Sequence, residues 1–438
     1  MSSSLLIYVP KITSRHEYIF SLIFSNLYQI DYGLTDRRDD YIASQKSKIN
    51  YSQIRIDENE IFISPNGLLE NKGISEVEIN VQKKNNIPIF FATIHKDSYF
   101  FDFFAASFYL VSRYEEYLPH LKDKYNRYKA EESLAFRNGF LERPIINIWA
   151  KEFIDRLQNQ FPDLNITPSK FKYISTIDID NAYLYKGRGL VRSMAFLLKA
   201  IINSDFKTIK LAFLVMSRRI KDPFDTYSLQ FNLQRKYNIE VIYFILLADY
   251  GLNDKNISHY NSQFQILIKR LADFAHVGVH PSYASNTNKD KLGEEIKRLE
   301  MIQKRETTSS RQHFLQLSLP ATYIDLIKAG ITDDYTMGYG SHLGFRAGIA
   351  NSFLFYNLDT EQIMPINVHP FAISDEILKF SLQLDPINVV DNVAHIIDEV
   401  KEVNGTLISL WHNDTFSNIG VWKGWRNVYE DVLKQIQL

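Results

Sequence analysis

The chain has 438 residues, 45% of them hydrophobic and 23% charged, which is the balance of a folded globular protein with room for two domains. Its net charge of -1 lacks the basic excess that binding to phosphate backbones calls for, so nucleic acid is a poor partner. With no cysteine there is no disulfide framework, thiolate metal site or thiol nucleophile, and any metal has to be held by Asp, Glu or His.

The opening stretch, MSSSLLIYVPKITSRHEYIF, has a five-residue apolar run and no basic segment before it, unlike a secretory signal. A strand is expected at Leu5 to Val9 and a helix at His16 to Phe24, then a polar region with strand-like pieces near Ile54 and at Ile61 to Ser64. In FDFFAASFYLVSRYEEY, Phe101 to Tyr117, apolar residues recur at three and four, which predicts a core helix. Residues 162–169 hold two prolines and no periodicity, and divide a smaller α+β unit, 1–165, from a second domain, 166–438.

Beyond that boundary, short apolar runs alternate with amphipathic stretches. Strands are expected at Tyr173 to Asp180, Val241 to Leu247, His276 to His280, Thr308 to Phe314, Asp334 to Tyr339, Pro365 to Phe371 and Thr406 to His412. Helices are expected at Ser258 to Phe274, Lys289 to Gln303, Pro320 to Lys328 and Val389 to Val403, with Gly330 and Gly405 placed as C-terminal caps. This alternation predicts a parallel sheet with helices outside, and seven strand candidates favour a distorted β/α barrel over an open sheet. The longest apolar stretch, VIYFILLA from Val241 to Ala248, is far too short to span a membrane, and the cytoplasm is the expected address.

The polar residues of this half fall at the C-terminal ends of strands, where a parallel barrel carries its working groups. Asp178 and Asp180 in ISTIDIDNAY share one strand face at roughly 6 to 7 Å, and two such carboxylates call for a cation, a shared proton or separate roles. His276 and His280 in HVGVHPSY have metal-pair spacing on a helix, but on a strand they lie about 13 Å apart, which leaves His280 alone at the mouth. Arg311 and His313 in SSRQHFLQL share a face by the same rule. The loop YGSHLGFRAG offers glycines for close ligand approach and Arg346 for an anionic or hydroxylated group. In TLISLWHND, His412 ends a strand as a candidate general acid, Trp411 is a candidate sugar-stacking platform, and Asn413 and Asp414 could orient the His412 ring. There is no G-x-S-x-G elbow and no Gly-rich phosphate loop.

The ordered set FDFFAASFYLVSRYEEYL, TIDID, VGVHPSY, SRQHFL, DYTMGYGSHLGFRAG and LWHN resembles the polysaccharide deacetylase (NodB-homology) family, specifically a subgroup with an extra N-terminal domain of unknown function. That resemblance implies a barrel of about seven strands that removes acetyl groups from N-acetylated sugars with one divalent metal, usually zinc. It implies Asp178 as catalytic base, Asp180 and His280 as metal ligands, Arg311 as the group orienting the base, and His412 as general acid. The family's second metal histidine is expected where this chain has Ala284, and His313 is the candidate replacement. The alternatives are a carbohydrate-binding protein with a degenerate barrel, or a hydrolase of another amide such as a cyclic imide or formamide.

Overall fold

The computed structural model describes residues 5–437. Its first sheet has the strand order Tyr32–Thr35, Leu5–Tyr8, Ser47–Tyr51, Ile61–Ile63. All three pairings are parallel, so the main sheet of this part is a parallel α/β layer and not the α+β arrangement expected, with the short hairpin Gln82–Lys84 and Ile87–Ile89 antiparallel. The crossovers supply the cover that a parallel sheet needs on its faces: the helix Ser14–Phe20, continued by the wider turns of Ser21–Leu27, and the short helix Arg38–Ala43. The strand Ser47–Tyr51 escapes a hydrophobicity reading because three of its buried residues, Ser47, Lys48 and Asn50, are polar. Lys48 pairs with Asp57 at 2.7 Å and Asn50 with Glu60 at 2.7 Å. Ile54, expected in a strand, lies beyond it with its side chain in solvent.

The aromatic segment forms a shorter helix than its periodicity suggests, Phe103–Val111. Asp102 caps it by accepting from the Ala105 amide at 3.0 Å, and Arg113 follows it in the left-handed region at φ 55°. All nine of its residues are buried, so the side chains rather than an amphipathic stripe hold it in place.

His16 sits in the first helix fully buried, and burial lowers its pKa to about 4. The folded state therefore binds its proton less readily than the unfolded chain does. The stabilising contribution is complete above pH 6.5 and is lost as pH falls from 6.5 toward about 4, amounting to about 3 kcal/mol. His16→Gln, which can keep the capping box with Thr13, is expected to flatten that part of the pH–stability curve in urea titrations. Parallel curves for the two proteins would refute the assignment.

The second sheet has nine strands in the order Phe353–Asn357, Gln362–Val368, Asp333–Asp334, Ser309–Ser310, His276–Val279, Glu240–Ile245, Lys172–Ile179, Thr406–His412, Ile373–Ser374. Every neighbouring pair is parallel except the first, which is antiparallel. The ladder is open at both ends, so strand pairing among the described residues does not close the distorted seven-stranded barrel expected. Single backbone hydrogen bonds bring the two sides toward each other instead. The chain after Val368 donates from His369 to Asp334 O and from Phe371 to Met337 O, then from Ala372 to Ile408 O on the other side.

Alternation along the strands sorts the side chains. Ile177 and Ile179 enter the main core, whereas Ile174, Ile242, Phe244, Ile408 and Leu410 form a separate interior cluster with Tyr335 and Phe371. The helix Lys289–Gln303 has its expected bounds, Ala321–Lys328 and Val389–Glu402 differ from theirs by one residue, and Ser262–Phe274 starts four residues late. The main hydrophobic cluster runs without interruption from Leu5 to Ile436 and so includes side chains from both sheets.

Candidate active site

Asp178 lies near the end of Lys172–Ile179, in register with Phe244 on one side and His412 on the other, and Asp180 follows directly. Because Ile177 and Ile179 are drawn into the core, both carboxylates turn to the opposite face, at the C-terminal rim of the sheet. His280 follows His276–Val279 on the same rim, its amide bonded to Ile245 O at 2.9 Å. Arg311 and His313 come from the segment after Ser309–Ser310, where Phe314 (φ 59°) and Leu315 (φ 53°) take left-handed conformations.

Two imidazoles are held by hydrogen bonds that fix their tautomers. A carbonyl oxygen only accepts, so His280 donates from Nδ1 to Arg311 O at 2.5 Å and turns Nε2 toward the carboxylates. His313 donates from Nδ1 to Asp254 Oδ1 at 2.9 Å. Nε2 of His280 lies 3.4 Å from Asp180 Oδ1 and 3.6 Å from Asp178 Oδ2, and Nε2 of His313 lies 3.7 Å from Asp180 Oδ2. One ligand atom each from Asp180, His280 and His313 falls within 4.8 Å of the other two, and no other such group occurs among the described residues. Asp180 Oδ1 is buried with no hydrogen-bond partner among them. Two nitrogens and one oxygen, both rings oriented from behind, and an orphaned carboxylate oxygen fit a divalent cation of the zinc type.

Burial opposes charge on Asp180, but the rings of His313 and His280 hold its carboxyl well below the usual carboxylate range. Burial likewise opposes charge on His313, and Asp180 and Asp254 outweigh it, raising the ring to about 9. Ala284, at the position where a second histidine was expected, donates its amide to Asp254 Oδ2 at 3.2 Å and so helps hold the carboxylate that orients His313.

Beside this group, Asp178 Oδ1 accepts from Arg311 Nη1 at 3.2 Å. Arg311 is fully buried and is itself fixed by Thr176 Oγ1 at 2.6 Å and Tyr335 O at 2.9 Å. On the opposite wall, His412 Nδ1 bonds to Asp375 Oδ1 at 2.9 Å, and its amide donates to Asp375 Oδ2 at 2.7 Å. Burial works against a charged His412, yet Asp375 and Glu376 carry the imidazole well above its ordinary value. Asp178, Asp180, His280, His313 and His412 open onto one cleft of about 250 Å³.

Two expected residues lie elsewhere. Arg346 is buried away from the cleft, where Glu116 accepts from its Nε at 2.9 Å and its Nη2 at 2.6 Å, so it cannot reach a ligand. Trp411 is fully buried, donates to Ser409 Oγ at 2.8 Å and packs edge-on against Tyr429, because strand alternation turns it opposite to His412. Asn413 and Asp414 do not hold the His412 ring: Asn413 donates to Asn181 O and Asp414 accepts from Trp422. His276 stands at the far end of its strand and contacts Ser309. In the YGSHLG loop, Gly340 makes room for protein, since a Cβ there would collide with the Arg127 guanidinium.

Several residues of the site carry no motif in the sequence. Asp254, in a loop, and Asp375, directly after the strand Ile373–Ser374, each orient an imidazole from positions whose register a linear reading does not supply, although both follow expected strands. Tyr125 and Arg127 come from the N-terminal part and line the cleft, with Arg127 donating to Phe314 O at 2.9 Å beside His313.

No curated protein matches the chain. Solved structures that match include a candidate polysaccharide deacetylase from Mycobacterium smegmatis, at 12% identity over 60% of this chain and 84% of that one, with a TM-score of 0.40. A polysaccharide deacetylase from Bacillus cereus matches at 11% identity over 61% of this chain and 87% of that one, TM-score 0.28. PuuE allantoinase matches at 9% identity over 61% and 84%, TM-score 0.37. In the N-terminal part, residues 5–162 match a family of unknown function, DUF7033.

Proposed function

We propose that the cleft is the active site of a metal-dependent hydrolase that removes the acetyl group from an N-acetylated sugar, working in the cytoplasm on a saccharide or polysaccharide precursor. The observation that carries this reading is the convergence of Asp180, His280 and His313 beside an Asp178–Arg311 pair and a His412–Asp375 pair. The sugar itself is inferred from the motif resemblance.

In this reading Asp180, His280 and His313 hold one divalent cation, zinc. When bound, it supplies Lewis acidity toward the amide carbonyl and lowers the pKa of a neighbouring water. Asp178 Oδ2 takes a proton from the attacking water, while Arg311 holds Oδ1 and orients the carboxylate. Asp375 holds Nδ1 of His412, which leaves Nε2 to deliver a proton to the departing amine as the C–N bond breaks. Acetate and the free amino sugar are the products.

The test is acetate release from N-acetylglucosamine oligomers by zinc-supplied protein. Asp178→Asn and His412→Gln are each expected to lower kcat by about 10²- to 10⁴-fold with zinc content unchanged. Sugar binding with no turnover in the wild type would move the assignment to a binding protein. Turnover of a cyclic imide or formamide alone would replace the sugar.

A further inference from the structure

Residues 184–222, which leave the sheet shortly after Asp180, pack in a cluster separate from the main core. The helices Leu190–Ile202 and Phe206–Met216 form a hairpin with its own small cluster, built from Tyr185, Ala212 and Val215 with Phe196, Leu197 and Leu211 around them. That cluster uses one face of each helix. On the other face Leu198, Ile201, Ile202, Phe206, Phe213 and Met216 are exposed, among them Ile202 at 73%, Phe206 at 75% and Phe213 at 62%. The spacings 198, 201, 202 and 206, 213, 216 each keep to one side of a helix, so the exposed side chains form a stripe and not a scatter. Single exposed apolar residues are ordinary on a soluble surface, but a contiguous set of this size marks an interaction site.

The surrounding charge says what the stripe meets. Between Tyr183 and Asp222 the chain has nine Lys and Arg against two Asp, a local balance of +7 in a chain whose net charge is -1. Lys199, Lys207, Lys210, Arg218 and Arg219 are exposed beside the stripe. The loop after Glu240–Ile245 extends the same surface with Tyr250 and Leu252, both exposed. Arg192 ties it to the hairpin, lying 4.1 Å from the Tyr250 ring and donating to Lys255 O and Asn256 O. A second copy of this chain would set cations against cations across a two-fold interface. A bilayer with anionic headgroups takes both the apolar stripe and its cationic border. At 13 and 11 residues the helices fall well short of the ~20 that a span needs, so they would lie in the plane of the surface.

We propose that the hairpin is a peripheral docking element that seats the protein on an anionic lipid bilayer. Its apolar stripe enters the boundary between headgroups and acyl chains, and its lysines and arginines pair with lipid phosphates. This docking does not depend on the chemistry of the cleft. One consequence does rest on the hydrolase reading: the hairpin leaves the sheet on the rim that carries Asp180, so docking favours a sugar presented on a lipid carrier over a free one.

The test is flotation of the full-length protein with vesicles of phosphatidylcholine alone and of phosphatidylcholine mixed with phosphatidylglycerol. Binding is expected only to the mixed vesicles and is expected to weaken with salt. Phe206→Asp with Phe213→Asp, and separately Lys207→Glu with Lys210→Glu, are each expected to weaken it roughly tenfold or more, with thermal unfolding and zinc content unchanged. The proposal is overturned by absence of binding to mixed vesicles at low salt, by equal binding to neutral vesicles, by unchanged binding in both variants, or by sedimentation showing self-association through the stripe instead. None of these outcomes bears on zinc content or acetate release, so the docking and hydrolase readings fail independently.

Discussion

Supplied with zinc and freed of loose metal, the protein is expected to keep about one zinc per chain, and His313→Ala is expected to lose it as completely as Asp180→Ala and His280→Ala do. His313 is the informative position of the three. In the motif pattern its role belongs to a histidine four residues after His280, and this chain has Ala284 there. The fold offers a substitute because the segment after Ser309–Ser310 carries His313 across to Asp180, and Asp254 fixes its ring by accepting from Nδ1. The supporting carboxylate should therefore matter too. Asp254→Asn is expected to weaken zinc affinity by about 10- to 100-fold without emptying the site, as second-sphere changes do. Metal content by mass spectrometry, read beside circular dichroism to show that each variant still folds, checks both. Full zinc occupancy in His313→Ala would remove it from the ligand set and with it the proposed donor arrangement.

The largest stability effect is expected at Glu116. Its carboxylate accepts from Arg113 Nε at 2.8 Å and from Arg346 at 2.9 and 2.6 Å, and all three side chains are buried. Arg346 also donates to Gly338 O at 3.0 Å, and Arg113 donates to Arg346 O and to Glu115 at 2.9 Å. The cluster thus joins the end of the aromatic helix to the loop after Asp333–Asp334. Removing Glu116 strands the Arg346 guanidinium in the interior and leaves Arg113 with Glu115 alone, and Glu116→Ala is expected to cost about 3–5 kcal/mol in urea unfolding. That is a large share of the 5–15 kcal/mol by which domains are ordinarily stable. Burial alone would raise the Glu116 pKa, but Arg346 and Arg113 outweigh it and bring it to about 2. Its contribution is therefore present above pH 4.5 and is lost as pH falls from 4.5 toward about 2. A change below about 1 kcal/mol for Glu116→Ala would show that the cluster does not bear on stability in this way.

Strand ends were readable where apolar alternation was strong. ISTIDID places Asp178 and Asp180 opposite Ile177 and Ile179 because a strand's side chains alternate, and the core takes the isoleucines. The same alternation, carried one residue further, places Trp411 against Tyr429 and opposite to His412, so reading the tryptophan as a sugar platform conflicted with the rule that located the histidine. Arg346 misled for another reason. A loop arginine beside glycines looks available for a ligand, and only the arrival of Glu116, 230 residues earlier in the chain, shows that it is already paired. Barrel closure, not strand count, ran ahead of the structure. Five strands of the second sheet have four or more residues near their expected positions, but Ser309–Ser310 and Asp333–Asp334 are two-residue ladders where longer strands were expected, and Phe353–Asn357 and Ile373–Ser374 were not expected at all.

What the sequence determined by itself is the inventory and the local geometry. Without cysteine the donors had to be carboxylate or imidazole, and the two-residue spacing of Asp178 and Asp180, like the strand-end positions of His280 and His412, follows from backbone period and needs no knowledge of distant partners. The tertiary structure decided which of these groups meet and in what state. Asp254 and Asp375 set the tautomers of His313 and His412, and Arg127 reaches the cleft from the N-terminal part. Hydrogen bonds and buried charge act over a few ångströms in space whatever the separation along the chain, and that separation is 59 residues for Asp254 and His313 and 187 for Arg127 and Phe314. No local pattern encodes a contact of that kind, because its energy exists only once the fold has brought the two segments together.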